Sequence, residues 1–86
     1  MTIAEESRRI FAECKHFVKT RKNEKVLPYI QSGTVKKRTM MYREASRYSK
    51  DAAIDFELGI ITKEEYDVEI EAIKRFEQAL ANMECY

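Results

Sequence analysis

A helix stop and a helix start stand side by side in residues 58–70, which read LGIITKEEYDVEI. Gly59 can adopt the left-handed backbone conformation that commonly terminates a helix. Thr62 and Glu65 then have the spacing of a capping box, in which each side chain satisfies the other residue's backbone N–H group. Only a tight turn fits between a helix that ends at Gly59 and one that starts at Thr62. This stretch therefore predicts an antiparallel helical hairpin.

Apolar residues on both sides of this turn recur at the spacing of an α-helix. Upstream, a helix is predicted over about residues 35–58, with an inner stripe of Met41, Tyr42, Ala45, Tyr48, Ser49, Ala52 and Phe56. Downstream, a helix is predicted over about residues 62–83, with a core face of Tyr66, Ile70, Ile73, Phe76, Leu80 and Met83. The hairpin thus presents one continuous apolar side to the rest of the chain.

The remaining residues predict one more helix and a connector. Thr2 and Glu5 repeat the capping-box spacing, so a helix is expected over about residues 2–22, followed by a connector over 23–33 that contains Pro28 and Gly33. We therefore predict an all-α fold over residues 1–86, a three-helix bundle in which helices 2 and 3 form an antiparallel hairpin. Its core should include Phe11, Phe17, Phe56, Ile73, Phe76 and Leu80.

The turn in residues 59–66, Gly-Ile-Ile-Thr-Lys-Glu-Glu-Tyr, resembles the turn of many small helical-hairpin modules, including short C-terminal oligomerisation domains of bacterial proteins. The resemblance implies a hairpin and no particular activity. A helix-turn-helix is not expected, because the acidic residues that crowd the start of the last helix would repel phosphates. A ribbon-helix-helix, with residues 34–42 as a short basic strand, is a minor alternative.

The composition excludes several classes of protein. The chain has 86 residues and a net charge of +1, and 36% charged with 44% hydrophobic residues is typical of a soluble globular domain. The longest uncharged run, residues 26–35, is too short to cross a membrane and is broken by Pro28 and Gly33. The first residues lack the apolar core of a secretory signal, and two cysteines are too few for a disulfide framework. A cytoplasmic protein without membrane contact is expected.

Catalysis and metal binding are not expected. His16 is the only histidine, and Cys14 points to the opposite side of the same predicted helix, so no metal-ligating or nucleophile–base pair forms locally. The two glycines, Gly33 and Gly59, are too far apart to build a phosphate-binding loop. We predict that the protein is not an enzyme and uses no cofactor and no metal.

The charges are divided along the chain. Residues 1–50 carry 13 Lys and Arg against 5 Glu, whereas residues 51–86 carry 3 Lys and Arg against 10 Asp and Glu. The predicted second helix concentrates basic side chains at its start and on the side opposite the core: Lys36, Lys37, Arg38, Arg43, Arg47 and Lys50. Such a stripe can follow a phosphate backbone, although it could also simply be a solvated face. It predicts a non-catalytic protein that binds nucleic acid or a nucleoprotein complex.

Two tyrosines alternate with the arginines of this stretch. Tyr42 and Tyr48 could stack on bases, as in a single-strand binder, or pack into the core with a hydrated hydroxyl. Their helical phase places them on the flanks of the core stripe, which favours packing.

A protein partner is the alternative function. Small charge-divided chains resemble phage and mobile-element accessory proteins, including anti-CRISPR-like inhibitors of bacterial defence complexes. An inhibitor could present an acidic face on helix 3, formed by Glu64, Asp67 and Glu71, to a nucleic-acid channel. A protein partner, or a second copy in a homodimer, could instead contact an apolar line on helix 2, formed by Met40, Ile54 and Leu58.

Overall fold

The computed structural model describes residues 1–86 and contains three helices: α1 (Ile3–Thr20), α2 (Val35–Glu57) and α3 (Lys63–Ala81). The predicted all-α three-helix bundle is confirmed, with α2 and α3 joined by a short turn. Each helix lies within two residues of its predicted bounds. Isolated helices of this length are marginal in water, so their stability comes mainly from the apolar faces that they bury together.

Three threonines begin the three helices. Thr2, Thr34 and Thr62 each accept a hydrogen bond from the backbone N–H three residues later, at 3.1 Å in every case. At Thr62 the capping box is complete, because Glu65 Oε1 accepts from the Thr62 N–H at 3.0 Å. These bonds to Thr62 hold the pKa of the Glu65 carboxyl below its usual value. Gly59 has φ of 72° in the turn before this cap, as predicted for the residue that ends α2.

The core is centred on α3, which packs along both α1 and α2, whereas α1 and α2 contact each other less. Phe76 and Leu80 of α3 are fully buried, as are Ile10 of α1 and Met41 of α2. Thirteen buried residues form one cluster: Ile10, Phe11, Cys14, Val18, Ile30, Met41, Ala45, Ala72, Ile73, Phe76, Ala79, Leu80 and Met83.

Two of the aromatic residues predicted for the core are only partly covered. Phe56 is 39% exposed, so its assignment to the core is wrong. Its ring lies in the last turn of α2 and is covered on one side by Tyr66, with 4.9 Å between the ring centroids. Phe17 is half-buried, and the guanidinium of Arg75 lies 4.9 Å from its ring centroid. Helical periodicity placed both rings on the correct side of their helices but did not show what covers them.

The connector is held by side chains and backbone from distant parts of the chain. Arg75 donates hydrogen bonds to the carbonyl oxygens of Asn23, Glu24 and Val26. At the other end of the connector, Gly33 donates to the Glu84 carbonyl at 3.1 Å and accepts from Tyr86 N–H at 3.0 Å. The residues after α3 therefore fold back on the connector.

Residues 34–42 do not form a strand. Thr34 is the N-cap of α2 and residues 35–42 are helical, while the single β-bridge of the protein joins Gly33 to Cys85. The ribbon-helix-helix alternative is therefore wrong. Both cysteines are free. Cys14 lies in the core, and Cys85 is half-buried and packs against the core cluster.

Candidate interaction surfaces

The outer side of α2 carries an exposed row of four basic residues, here called the basic face: Lys36, Arg43, Arg47 and Lys50. The row spans about 21 Å at the helical rise of 1.5 Å per residue. Arg47 is the only member with an ion pair, to Glu44 at 3.4 Å, and its side chain remains 69% exposed. An exposed pair of this kind contributes little and is easily exchanged for another anion. All four cations can therefore reach a partner.

Lys37, one of the basic residues noted at the start of the predicted second helix, lies outside this face. Its Nζ lies 2.9 Å from Glu6 Oε2 and 3.3 Å from the carbonyl oxygen of Gln31, and its side chain is only 17% exposed. Because successive helical residues are about 100° apart, Lys37 turns towards α1 while Lys36 faces solvent. Arg38, a further step around the helix, is half-buried. These two residues lie beside the basic face rather than on it.

The tyrosines of α2 pack against the core. Tyr48 stacks on Phe11, with ring centroids 4.6 Å apart, and its ring lies 6.4 Å from that of Phe76. Burial raises the pKa of the Tyr48 phenol, as expected for a hydroxyl removed from water. Tyr42 is half-buried against the same cluster. Neither ring is free to act as a stacking platform for bases.

The acidic face of α3, formed by Glu64, Asp67 and Glu71, is exposed but partly paired. Glu71 accepts a hydrogen bond from Arg21 at 2.9 Å, and this bond raises the pKa of the Arg21 guanidinium above its usual value. Asp67 lies 3.3 Å from Lys63, and Glu64 has no ion pair. The acidic face is thus more fully neutralised within the chain than the basic face.

Large apolar side chains are exposed along the same outer side of α2 and in the turn that follows. Met40 is 39% exposed between Lys36 and Arg43, and Ile54 and Leu58 are 52% and 70% exposed nearer the turn. Ile60, which the sequence analysis did not single out, is 66% exposed in the turn itself. Ile54, Leu58 and Ile60 together are called the hairpin-end apolar patch.

Glu6 was also missed by the sequence analysis. It is buried on α1 with one oxygen on Lys37 and the other, Oε1, without a hydrogen-bond partner. Its position in the helical repeat could have indicated this burial, because Glu6 lies three residues after Ile3 and four before Ile10, at the edge of the apolar face.

Reactive groups are not gathered into a site. Burial raises the pKa of the Cys14 thiol to about 12, so this sulfur is protonated near neutral pH and is a poor nucleophile. His16 is exposed, with Phe17 as its aromatic neighbour. No three His, Cys, Asp or Glu side chains come close enough together to hold a metal ion. None of the helices combines the length and hydropathy needed to span a bilayer.

Comparison of the chain with protein-family models, with curated proteins and with solved structures finds no match in any of the three.

Proposed function

We propose that the protein is a small non-catalytic binding protein that contacts nucleic acid, free or within a nucleoprotein complex, through the basic face of α2. The observation that carries the proposal is the row of exposed cations on one helix side, of which only Arg47 is paired. The single acidic residue between Lys36 and Lys50 is Glu44, whose side chain is only 19% exposed. A phosphate backbone supplies a matching row of anions and releases counterions when it is neutralised.

The packing of the tyrosines favours contact with phosphates over contact with bases. Tyr48 is committed to Phe11 and Phe76, and Tyr42 is half-buried, so the basic face lacks a free aromatic ring. Guanidinium and ammonium groups position a protein on the backbone without reading its sequence. We therefore expect binding that depends strongly on salt and little on nucleotide sequence.

The test is a pair of variants with the same change in net charge. Arg43→Glu with Arg47→Glu reverses the centre of the basic face, and Lys63→Glu with Lys74→Glu reverses two exposed lysines of α3. Affinity for duplex DNA and for RNA is measured at several salt concentrations by fluorescence anisotropy. We expect the α2 variant to lose binding and the α3 variant to keep most of it. For wild type on duplex DNA, the log–log salt slope should be about −0.9 for each phosphate neutralised.

Two results would contradict this role of the basic face. Equal losses in both variants would mean that net charge, and not the basic face, determines binding. No measurable affinity for any DNA or RNA at low salt would contradict the proposal and leave a protein partner as the better candidate.

The second candidate is a protein-binding inhibitor or adaptor, and the hairpin-end apolar patch favours it. Exposed aliphatic clusters commonly mark protein interfaces. Pull-down with mass spectrometry, in low and high salt, would compare wild type with Leu58→Asp and with a triple reversal of Glu64, Asp67 and Glu71 to Lys. An inhibitor that binds through its acidic face should lose its partner in the triple variant. Free nucleic acid should compete with the wild-type protein for that partner. An apolar interface is lost in Leu58→Asp instead.

A further inference from the structure

The last three turns of α2 carry a cation, an aliphatic residue and an anion in that order on one exposed side. Lys50 and Glu57 are exposed and take part in none of the ion pairs of the protein. Ile54 lies between them and is 52% exposed, and Leu58, one turn further, is 70% exposed. This surface leaves two charges and two large apolar side chains without partners inside the chain.

The spacing of these residues makes the surface complementary to itself. Lys50 and Glu57 are seven residues apart, so they lie on the same edge of α2, within about 20° of each other and about 10.5 Å apart along the axis. Ile54 lies close to the midpoint between them. A two-fold axis midway between Lys50 and Glu57, beside Ile54, that sets a second α2 antiparallel to the first would bring Lys50 of each copy opposite Glu57 of the other. It would also bring the two Ile54 side chains together at the centre.

We propose that this end of α2 is a self-association surface and that its partner is a second copy of this chain. The contact is isologous, because the same residues serve both copies. Nucleic acid fits this surface poorly, since Asp51 and Glu57 flank Ile54 and would repel phosphates. The proposal rests on residues 50–58 and does not require that the basic face bind nucleic acid.

The size of the contact determines its strength. Residues 50–58 span only about 12 Å along the helix axis, so the buried area falls at the small end of specific interfaces and the dimer should be weak and concentration-dependent. Because α2 ends at Glu57, the first half of each α2 extends past the turn of the other copy. Lys36 and Arg43 of both copies therefore stay exposed in the dimer.

The experiment is a charge-swap mixture followed by sedimentation velocity from low micromolar to millimolar concentration. Lys50→Glu places two pairs of like charges in the contact, and so does Glu57→Lys, so each variant alone should dimerise at least about tenfold more weakly than wild type. Mixing the two variants re-forms both opposite-charge pairs and should restore a dimer that contains one copy of each. Ile54→Asp should abolish the dimer in every combination.

The controls keep the result interpretable. Lys74→Glu and Glu77→Lys change two exposed positions on α3 and should leave self-association unchanged. Circular dichroism confirms that each variant folds, which is expected because Lys50, Ile54 and Glu57 are all exposed. A wild-type protein that stays monomeric at millimolar concentration would overturn the proposal. So would a mixture of the two charge variants that dimerises no better than either one alone.

Discussion

Lys37 Nζ lies 2.9 Å from Glu6 Oε2 in the least exposed ion pair of the protein, with side-chain exposures of 17% and 8%. The pair joins the start of α1 to the first turn of α2, and Lys37 also donates to the Gln31 carbonyl of the connector at 3.3 Å. A charge that is removed from water needs its partner more than an exposed one does, because the lost hydration is not recovered elsewhere.

Glu6→Gln should therefore destabilise the fold by about 2–4 kcal/mol, since it leaves the Lys37 ammonium without its carboxylate at nearly unchanged side-chain volume. Urea unfolding followed by circular dichroism measures this loss. The matched control is Glu13→Gln, which removes an exposed pair with Arg9 and should change the free energy of unfolding by about 0.5 kcal/mol or less. Equal effects of the two substitutions would contradict a special role for the buried pair.

Phe76 and Phe56 should respond very differently to truncation. Phe76 is fully buried, so Phe76→Ala removes its transfer free energy and leaves a cavity, at a cost of about 3–5 kcal/mol. Phe56 is 39% exposed and loses mainly its contact with Tyr66, so Phe56→Ala should cost about 1 kcal/mol. Thermal or urea unfolding of both variants checks the difference. A loss at Phe56 as large as that at Phe76 would show that the ring is covered in solution.

Arg75 should determine how well the connector is ordered. Arg75→Met keeps much of the side-chain length but removes the hydrogen bonds to the carbonyl oxygens of Asn23, Glu24 and Val26. We expect faster hydrogen exchange at Val26 N–H, which closes a turn onto Asn23, and faster tryptic cleavage after Lys25. Lys74→Met, at the exposed neighbouring position, is the control and should leave both rates unchanged.

Cys14 should make the fold less stable at alkaline pH. Its pKa is raised from 9.0 to about 12 in the folded protein, so above pH 9 the unfolded chain loses a proton that the native state keeps. Stability from this group is fully present below pH 9 and is lost as the pH rises towards 12, by up to about 1.4 kcal/mol per pH unit. Between about pH 8 and about pH 10.5, the free energy of unfolding should fall further for wild type than for Cys14→Ala. Parallel slopes would contradict this prediction.

The helices could be predicted because their signals are local. Thr2, Gly59 and Thr62 mark helix ends through their own backbone and side-chain chemistry, and the apolar period between those ends determines which side faces inwards. The exposed cations Arg43 and Arg47 followed from the same period.

What could not be predicted depends on residues that are distant in the chain. Phe56 has the phase of a core residue, but its ring is covered on one side by Tyr66 of α3 and stays 39% exposed. Lys37 is one residue from an exposed lysine, and only the position of Glu6 on α1 distinguishes the two. The pairing of Gly33 with the segment around Cys85 has no local sequence signature, because neither segment belongs to a helix or a longer strand.

The central position of α3 has a consequence for synthesis on the ribosome. α1 and α2 contact each other less than either contacts α3, whose buried residues Ile73, Phe76 and Leu80 belong to the same core cluster as the apolar residues of α1 and α2. A nascent chain that has reached Gly59 therefore carries two amphipathic helices that cannot yet close a core. We expect folding to wait until Leu80 and Met83 have left the ribosome, after which the bundle can form in one step. Until then, the exposed faces of α1 and α2 are the part of the molecule most open to chaperones and to aggregation.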